Sequence, residues 1–250
     1  MCFDLDSAPP IPPLAGAAVS HDDLVVEAPD GNRFAAFVAT PEEPARAGVV
    51  ILPDVRGLYR FYEELALRFA ERGYAAIAFD YFGRTAGAEK RDDDFEYMPH
   101  VQQTSPDGVQ VDIGACVEHL RDAGCAAVFT VGFCFGGRNS WLAAASGHSL
   151  AGAIGFYGRP GPGNDGTPGP IQRAGEFAAP ILALQGGDDP GIPNEESEAF
   201  DAALDAAGVE HEVVIYPGAP HSFFDRKYEE FAGDSDDAWA RVLAFFERYS

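Results

Sequence analysis

The chain has 250 residues, enough for one large α/β or all-β domain or for two small ones. Hydrophobic residues make up 46% and charged residues 23%, ordinary globular proportions that argue against overall disorder. With 40 acidic against 17 basic side chains the formal net charge is −23, a surface that repels phosphate backbones and anionic lipid, so neither a nucleic acid nor a membrane is expected as a partner.

The N-terminal stretch 1–20 is rich in proline (Pro9, Pro10, Pro12, Pro13) and reads as an extension without a regular element; 21–250 reads as a single domain. From Leu24 the pattern becomes regular. LVVEA, a turn at Asp30-Gly31 and RFAAFVA predict a β-hairpin. The continuous apolar run at 48–53 predicts a strand buried on both faces, 61–72 a helix stopped by Gly73, and 74–79 a further strand. No periodicity is legible over 80–104. Ser105-Pro106 opens a helix to about 123, with proline at its first position. Then follow a strand at 126–132, a helix at 135–147, strands at 150–156 and 180–186, a helix at 195–207, a strand at 210–216 and a closing helix at 235–249. Strands alternating with helices imply parallel pairing with right-handed crossovers, hence an α/β doubly wound sheet with helices on both faces. Nine of the thirteen residues over 158–170 are glycine or proline, which predicts a surface loop near the strand ends.

The four cysteines (2, 116, 125 and 134) make no CxxC pair, and no histidine pair completes a zinc pattern, so no metal is expected. The N-terminal residues lack a basic segment followed by an apolar one, and no run of 18 apolar residues occurs. A reduced, cytoplasmic protein is the resulting expectation.

Ligands of an open α/β sheet bind at the carboxyl ends of its strands, so reactive groups that follow strands carry the functional reading. Three such segments stand out. Gly132-Phe133-Cys134-Phe135-Gly136-Gly137 has the G-x-nucleophile-x-G form of a strand-to-helix elbow, with Cys134 where serine is usual. That turn lifts the sulfur into the cleft and puts the N–H of Phe135 at a helix N-terminus, where it can stabilise an oxyanion. Gly186-Gly187-Asp188-Asp189-Pro190 follows the strand at 180–186, and His221 stands in PGAPHSFF after the strand at 210–216. Nucleophile, acid and histidine thus occur in the chain order of an α/β-hydrolase triad. Histidine would take the thiol proton, and an aspartate would hold the imidazole tautomer. Read alone, each has a plainer explanation: a structural cysteine, a turn aspartate, a surface histidine. Cys2, Cys116 and Cys125 read as inert, and His119 and His211 as structural.

These segments resemble the dienelactone hydrolase (carboxymethylenebutenolidase) family of α/β-hydrolases. The likeness runs from about residue 23 to 249 and includes GFCFGG, LPDVRGLYRFYEELALRFAERGYAAIAFDYFGR, GGDDPGIP and YPGAPHSFF. It implies the α/β-hydrolase fold, Cys134 as nucleophile, His221 as base and Asp189, rather than Asp188, as the acid. It further implies Asp54 as the carboxylate beside the resting thiol, Val55 as second oxyanion donor and Arg84 as the arginine for a substrate carboxylate. A second family arginine would fall on Asp225, and Arg56 is a candidate replacement. The expected activity is cofactor-free hydrolysis of a lactone or small activated ester through a Cys134–His221–Asp189 triad and a thioester. The alternatives are a general carboxylesterase with promiscuous activity, phosphotriesters included, and a non-catalytic reactive-thiol protein. A nicotinamide-binding domain is disfavoured because no GxGxxG follows the first parallel strand.

Overall fold

The computed structural model describes residue 4 and residues 6–250. Eight strands form one sheet in the order β1-β2-β4-β3-β5-β6-β7-β8. They are β1 (Val19–Glu27), β2 (Arg33–Pro41), β3 (Gly48–Leu52), β4 (Ala75–Phe79), β5 (Val128–Phe133), β6 (Gly152–Phe156), β7 (Ile181–Gly186) and β8 (His211–Tyr216). The β1–β2 and β2–β4 pairs are antiparallel and every later pair is parallel, so the sheet is the expected α/β-hydrolase type with an antiparallel edge. β1 begins at Val19, inside the stretch expected to lack regular structure, because the prolines end at Pro13 and the chain beyond them can pair with β2 (Val19 opposite Pro41).

The helices are α1 (Arg60–Ala70), α2 (Gly83–Ala86), α3 (Met98–Val101), α4 (Pro106–Asp122), α5 (Phe135–Ala143), α6 (Pro170–Arg173), α7 (Asn194–Ala207) and α8 (Ala232–Tyr249). Ser105 caps α4 as its position before Pro106 implies, its Oγ accepting the N–H of Gly108 at 3.0 Å. The aperiodic stretch 80–104 holds only two single-turn helices, α2 and α3, too short to generate a 3.6-residue repeat. α8 opens three residues before the expected Ser235.

The sheet divides the core into two apolar layers. Alternate residues of one strand serve opposite faces: Val49 and Ile51 pack with Phe61, Leu65 and Phe69 of α1 and Phe246 of α8, while Val50 and Leu52 pack with Ile113 and Leu120 of α4 and Trp141 of α5. This two-sided burial explains the unbroken apolar runs of β3 and β4. After β3 the chain adds β4 on one side and β5 on the other. The topological switch point therefore lies between the carboxyl ends of β3 and β5, the position at which open α/β sheets bind ligands. No helix of the described residues is long and apolar enough to cross a membrane.

Candidate active site

Cys134 occupies the N-cap position of α5, directly beyond β5 at that switch point, with φ 55° and ψ −113°. The turn is held by backbone bonds on both sides: the Cys134 N–H donates to Phe156 O at 3.0 Å, and the Arg138 N–H donates to Cys134 O at 3.2 Å. Its flanking glycines are required by space. A Cβ on Gly132 would lie 2.0 Å from the carbonyl oxygen of Gly136, and one on Gly136 would lie 2.1 Å from that of Leu52. Among the described residues four non-glycine residues have positive φ, and three of them belong to this region: Cys134, Tyr157 and Ser222. Tyr157 follows β6, its ring 4.9 Å from that of His221, and Ser222 follows His221. Backbone outliers of this kind cost energy and cluster where geometry is over-determined.

His221 and Asp189 meet as the order of segments implies. Nδ1 of His221 stands 2.5 Å from Oδ2 of Asp189, and Oδ1 of Asp189 accepts the N–H of Gly191 at 2.8 Å. Asp189 is buried whereas Asp188 is exposed, which separates the two adjacent aspartates. Burial raises the Asp189 carboxyl, but the hydrogen bond and charge of His221 outweigh it and hold the group below the usual carboxylate range.

The end of β3 forms the opposite wall. Tyr62 and Tyr81 fix it from two sides: the Asp54 N–H donates to Tyr62 Oη at 2.8 Å, and Tyr81 Oη donates to Pro53 O at 2.8 Å. Both phenols are pushed well above their usual range by burial, with the charge of Asp54 adding to it, so both stay protonated. Tyr157 is raised likewise, first by burial and then by the neighbouring Cys134 and Asp54. Asp54 and Cys134 thus share Tyr81 and Tyr157 as common neighbours. A turn closed by Gly57 N–H to Asp54 O at 3.1 Å presents Val55. Phe135 is the first residue of α5, where backbone N–H groups have no intrahelical acceptor.

The arginines depart from the expectation for substrate binding. Arg56 forks onto Asp54 (Nη2–Oδ2 2.8 Å, Nε–Oδ1 3.2 Å) and lies over the Tyr59 ring at 4.4 Å. Arg84 is engaged by Asp30 at 2.5 Å and Asp112 at 2.7 Å. Its guanidinium thus bridges the β1–β2 turn to α4. Asp225 is buried and accepts Ser7 Oγ at 2.7 Å.

Sequence reasoning missed Tyr62, Tyr81 and Tyr157, whose phenols reach the site from other elements. It also missed Arg91, which forms a buried ion pair with Asp80 at 2.9 Å. The remaining described cysteines, Cys116 and Cys125, are buried, and burial pushes both thiols up. Cys2 lies outside the described residues.

One cavity borders the elbow and another borders the turn after β3. The first, of about 430 Å³, lies between the start of α4, the exposed side of α5 and the 158–170 loop, with Phe135 in its wall. The second, of about 260 Å³, is lined by Arg56, Tyr59, Arg91 and Phe95.

Comparison with known proteins agrees with this architecture. A family model described as the dienelactone hydrolase family matches residues 34–250. A protein of Escherichia coli K12, provisionally assigned as a carboxymethylenebutenolidase, is 30% identical over 259 residues, covering 97% of this chain and 94% of that one. A crystal structure of a provisionally assigned dienelactone hydrolase from Klebsiella pneumoniae superposes with a TM-score of 0.81 at 27% identity, covering 93% of this chain and 100% of that one. The structure of a dienelactone hydrolase-like promiscuous phosphotriesterase from metagenomic libraries gives 0.77 at 23% identity over 94% of this chain and 99% of the other. That likeness bears on the fold alone.

Proposed function

The chain belongs to the dienelactone hydrolase family and is an ester-cleaving hydrolase; on that premise we propose that it cleaves a lactone or small activated ester through Cys134, His221 and Asp189. His221 removes the thiol proton while Asp189 holds the imidazole in the required tautomer. The thiolate forms an S–C bond to the ester carbonyl, and the N–H groups of Phe135 and Val55 receive the oxyanion. Collapse expels the alkoxide or enolate, which takes its proton from the His221 imidazolium, and leaves a thioester on Cys134. His221 then takes a proton from water, the resulting hydroxide attacks the thioester, and the acid departs as the sulfur is reprotonated. A thiolate nucleophile favours aryl and enol esters, which have good leaving groups, over amides.

The observation that carries this reading is the pairing of a strained N-cap cysteine at the switch point with a buried His221–Asp189 bond. The test is a hydrolysis screen of dienelactone, p-nitrophenyl acetate, a long-chain p-nitrophenyl ester and an aryl phosphotriester. Turnover of lactone and short aryl ester supports the proposal. Turnover of the long-chain ester with no lactone hydrolysis would move the assignment to a general carboxylesterase, and stoichiometric thiol acylation without turnover to a reactive-thiol protein.

A further inference from the structure

The turn after β3 is fastened at its far end by Asp80, a residue outside the proposed triad. Nearly all of the turn's backbone donors are taken. The Asp54 N–H donates to Tyr62 Oη at 2.8 Å, that of Arg56 to Asp54 Oδ1 at 2.9 Å, that of Gly57 to Asp54 O at 3.1 Å and that of Leu58 to Asp80 Oδ1 at 3.3 Å. The Val55 N–H is left as the one donor of 54–58 without an acceptor among the described residues. A donor kept open while its neighbours are held is what an oxyanion site requires.

Asp80 is buried directly after β4. Its Oδ1 takes the Leu58 N–H and also fills the space beside Gly57: a Cβ there would lie 2.4 Å from it, and Gly57 has φ 85°. Its Oδ2 accepts the Phe82 N–H at 2.9 Å and the fork of Arg91, Nη2 at 2.9 Å and Nε at 3.2 Å. Arg91 in turn donates to Ala86 O at 3.1 Å and to Gly87 O. A guanidinium held at this many points keeps one orientation, and it supplies the counter-charge that a buried carboxylate needs. Burial pushes the Asp80 carboxyl up, and the charge of Arg91 is the largest effect opposing it. An ionised Asp80 accepts at both oxygens, whereas protonation would turn one of them into a donor. The contacts Arg91–Asp80–Leu58 therefore tie the loop after β4 to the turn that carries Val55.

We propose that Asp80 and Arg91 are positioning residues for the oxyanion site: their ion pair holds the far end of the 54–58 turn and so sets where the Val55 N–H stands. The inference rests on the ester-hydrolase reading with Val55 as second oxyanion donor, and adds to it what keeps that donor in place. Phe135, the other proposed donor, is fixed by α5 itself, so the two halves of the oxyanion site have separate supports.

The experiment compares wild type, Arg91→Ala and Arg91→Lys in three reactions of Cys134. The first is hydrolysis of p-nitrophenyl acetate. The second is reversible addition to phenyl trifluoromethyl ketone, in which the thiolate forms an S–C bond and the carbonyl π pair becomes an oxyanion. The third is alkylation by iodoacetamide, in which the sulfur displaces iodide and no oxyanion forms. Arg91→Ala should lower kcat by about 10–100-fold with KM little changed, and weaken ketone binding by a similar factor, because displacing a donor by about 1 Å forfeits much of its effect. Arg91→Lys keeps the charge but not the fork, and should recover part of both. Alkylation should stay near the wild-type rate in both variants, which also reports that the surroundings of Cys134 remain folded. Hydrolysis and ketone affinity at the wild-type level in Arg91→Ala would overturn the proposal. So would an equal fall in all three reactions, which would make the ion pair a general support of the fold. Ketone affinity that depends on Arg91 in a protein that turns over no ester would keep the positioning role and sink the hydrolase reading.

Discussion

Arg56 closes a forked ion pair on Asp54, two residues before it, with Nη2–Oδ2 at 2.8 Å and Nε–Oδ1 at 3.2 Å. Asp54 is 1% exposed, so the arginine balances a carboxylate that water cannot reach. Removing one member of such a pair leaves an uncompensated buried charge. Arg56→Ala should therefore lower unfolding free energy by about 3–5 kcal/mol in chemical denaturation. Arg56→Lys should recover only part of it, since an ammonium cannot fork. Unchanged stability in Arg56→Ala would mean that the turn's own N–H groups suffice to hold Asp54.

The Asp189–His221 bond predicts an asymmetry between adjacent residues. Asp189→Asn should lower kcat/KM on p-nitrophenyl acetate by on the order of 10²–10⁴, by the measure of other triads. Exposed Asp188→Asn should cost far less. The same pair predicts a pH dependence of stability. A carboxyl held below its usual range in the folded state contributes stability above the unfolded-state pKa of about 3.9, lost as pH falls through the folded-state value. Denaturation midpoints of wild type and Asp189→Asn should thus differ near neutrality and converge in acid. A gap that persists at the lowest pH would assign the stabilisation to packing.

Much of the fold was legible in the sequence because its signals are local. Buried parallel strands are unbroken apolar runs, and Gly132, Cys134 and Gly136 announce an elbow through the space that their backbone needs. The order Cys134, Asp189, His221 was legible for the same reason, each residue standing in the segment that follows a strand. The fate of the arginines was not. Arg84 meets Asp112 across 28 residues, and Ser7 meets Asp225 across 218, so no spacing rule relates them. The tyrosines that fasten β3 reach it from α1 and from the loop after β4, and composition does not distinguish them from other core aromatics. β1 shows a smaller limit: proline forbids regular structure only where it stands, and pairing resumed at Val19.

Asp225 lies four residues after His221, where the family resemblance leads one to expect an arginine. Here it fastens the N-terminal strap: Ser7 Oγ donates to it at 2.7 Å, and the adjoining Arg226 N–H donates to Ala8 O at 3.1 Å. Both Ser7 and Asp225 are buried. Ser7→Ala would leave a buried carboxylate oxygen short of a donor, at a cost of about 1–3 kcal/mol. At about 2–4 °C per kcal/mol for a chain of this size, Tm should fall by several degrees. A Tm equal to wild type would mean that the strap contributes nothing to the His221 loop.

The central claim is that Cys134 carries the acyl group. It is tested most directly by kcat/KM on p-nitrophenyl acetate for wild type, Cys134→Ala and Cys134→Ser. Intact-mass analysis after rapid quench should accompany the kinetics. The account predicts an acetyl adduct on wild type that maps to Cys134, no turnover above background in Cys134→Ala, and a small residual rate in Cys134→Ser, where the elbow and both N–H donors survive. Wild-type turnover in Cys134→Ala, or an acetyl adduct that remains in that variant, would contradict it.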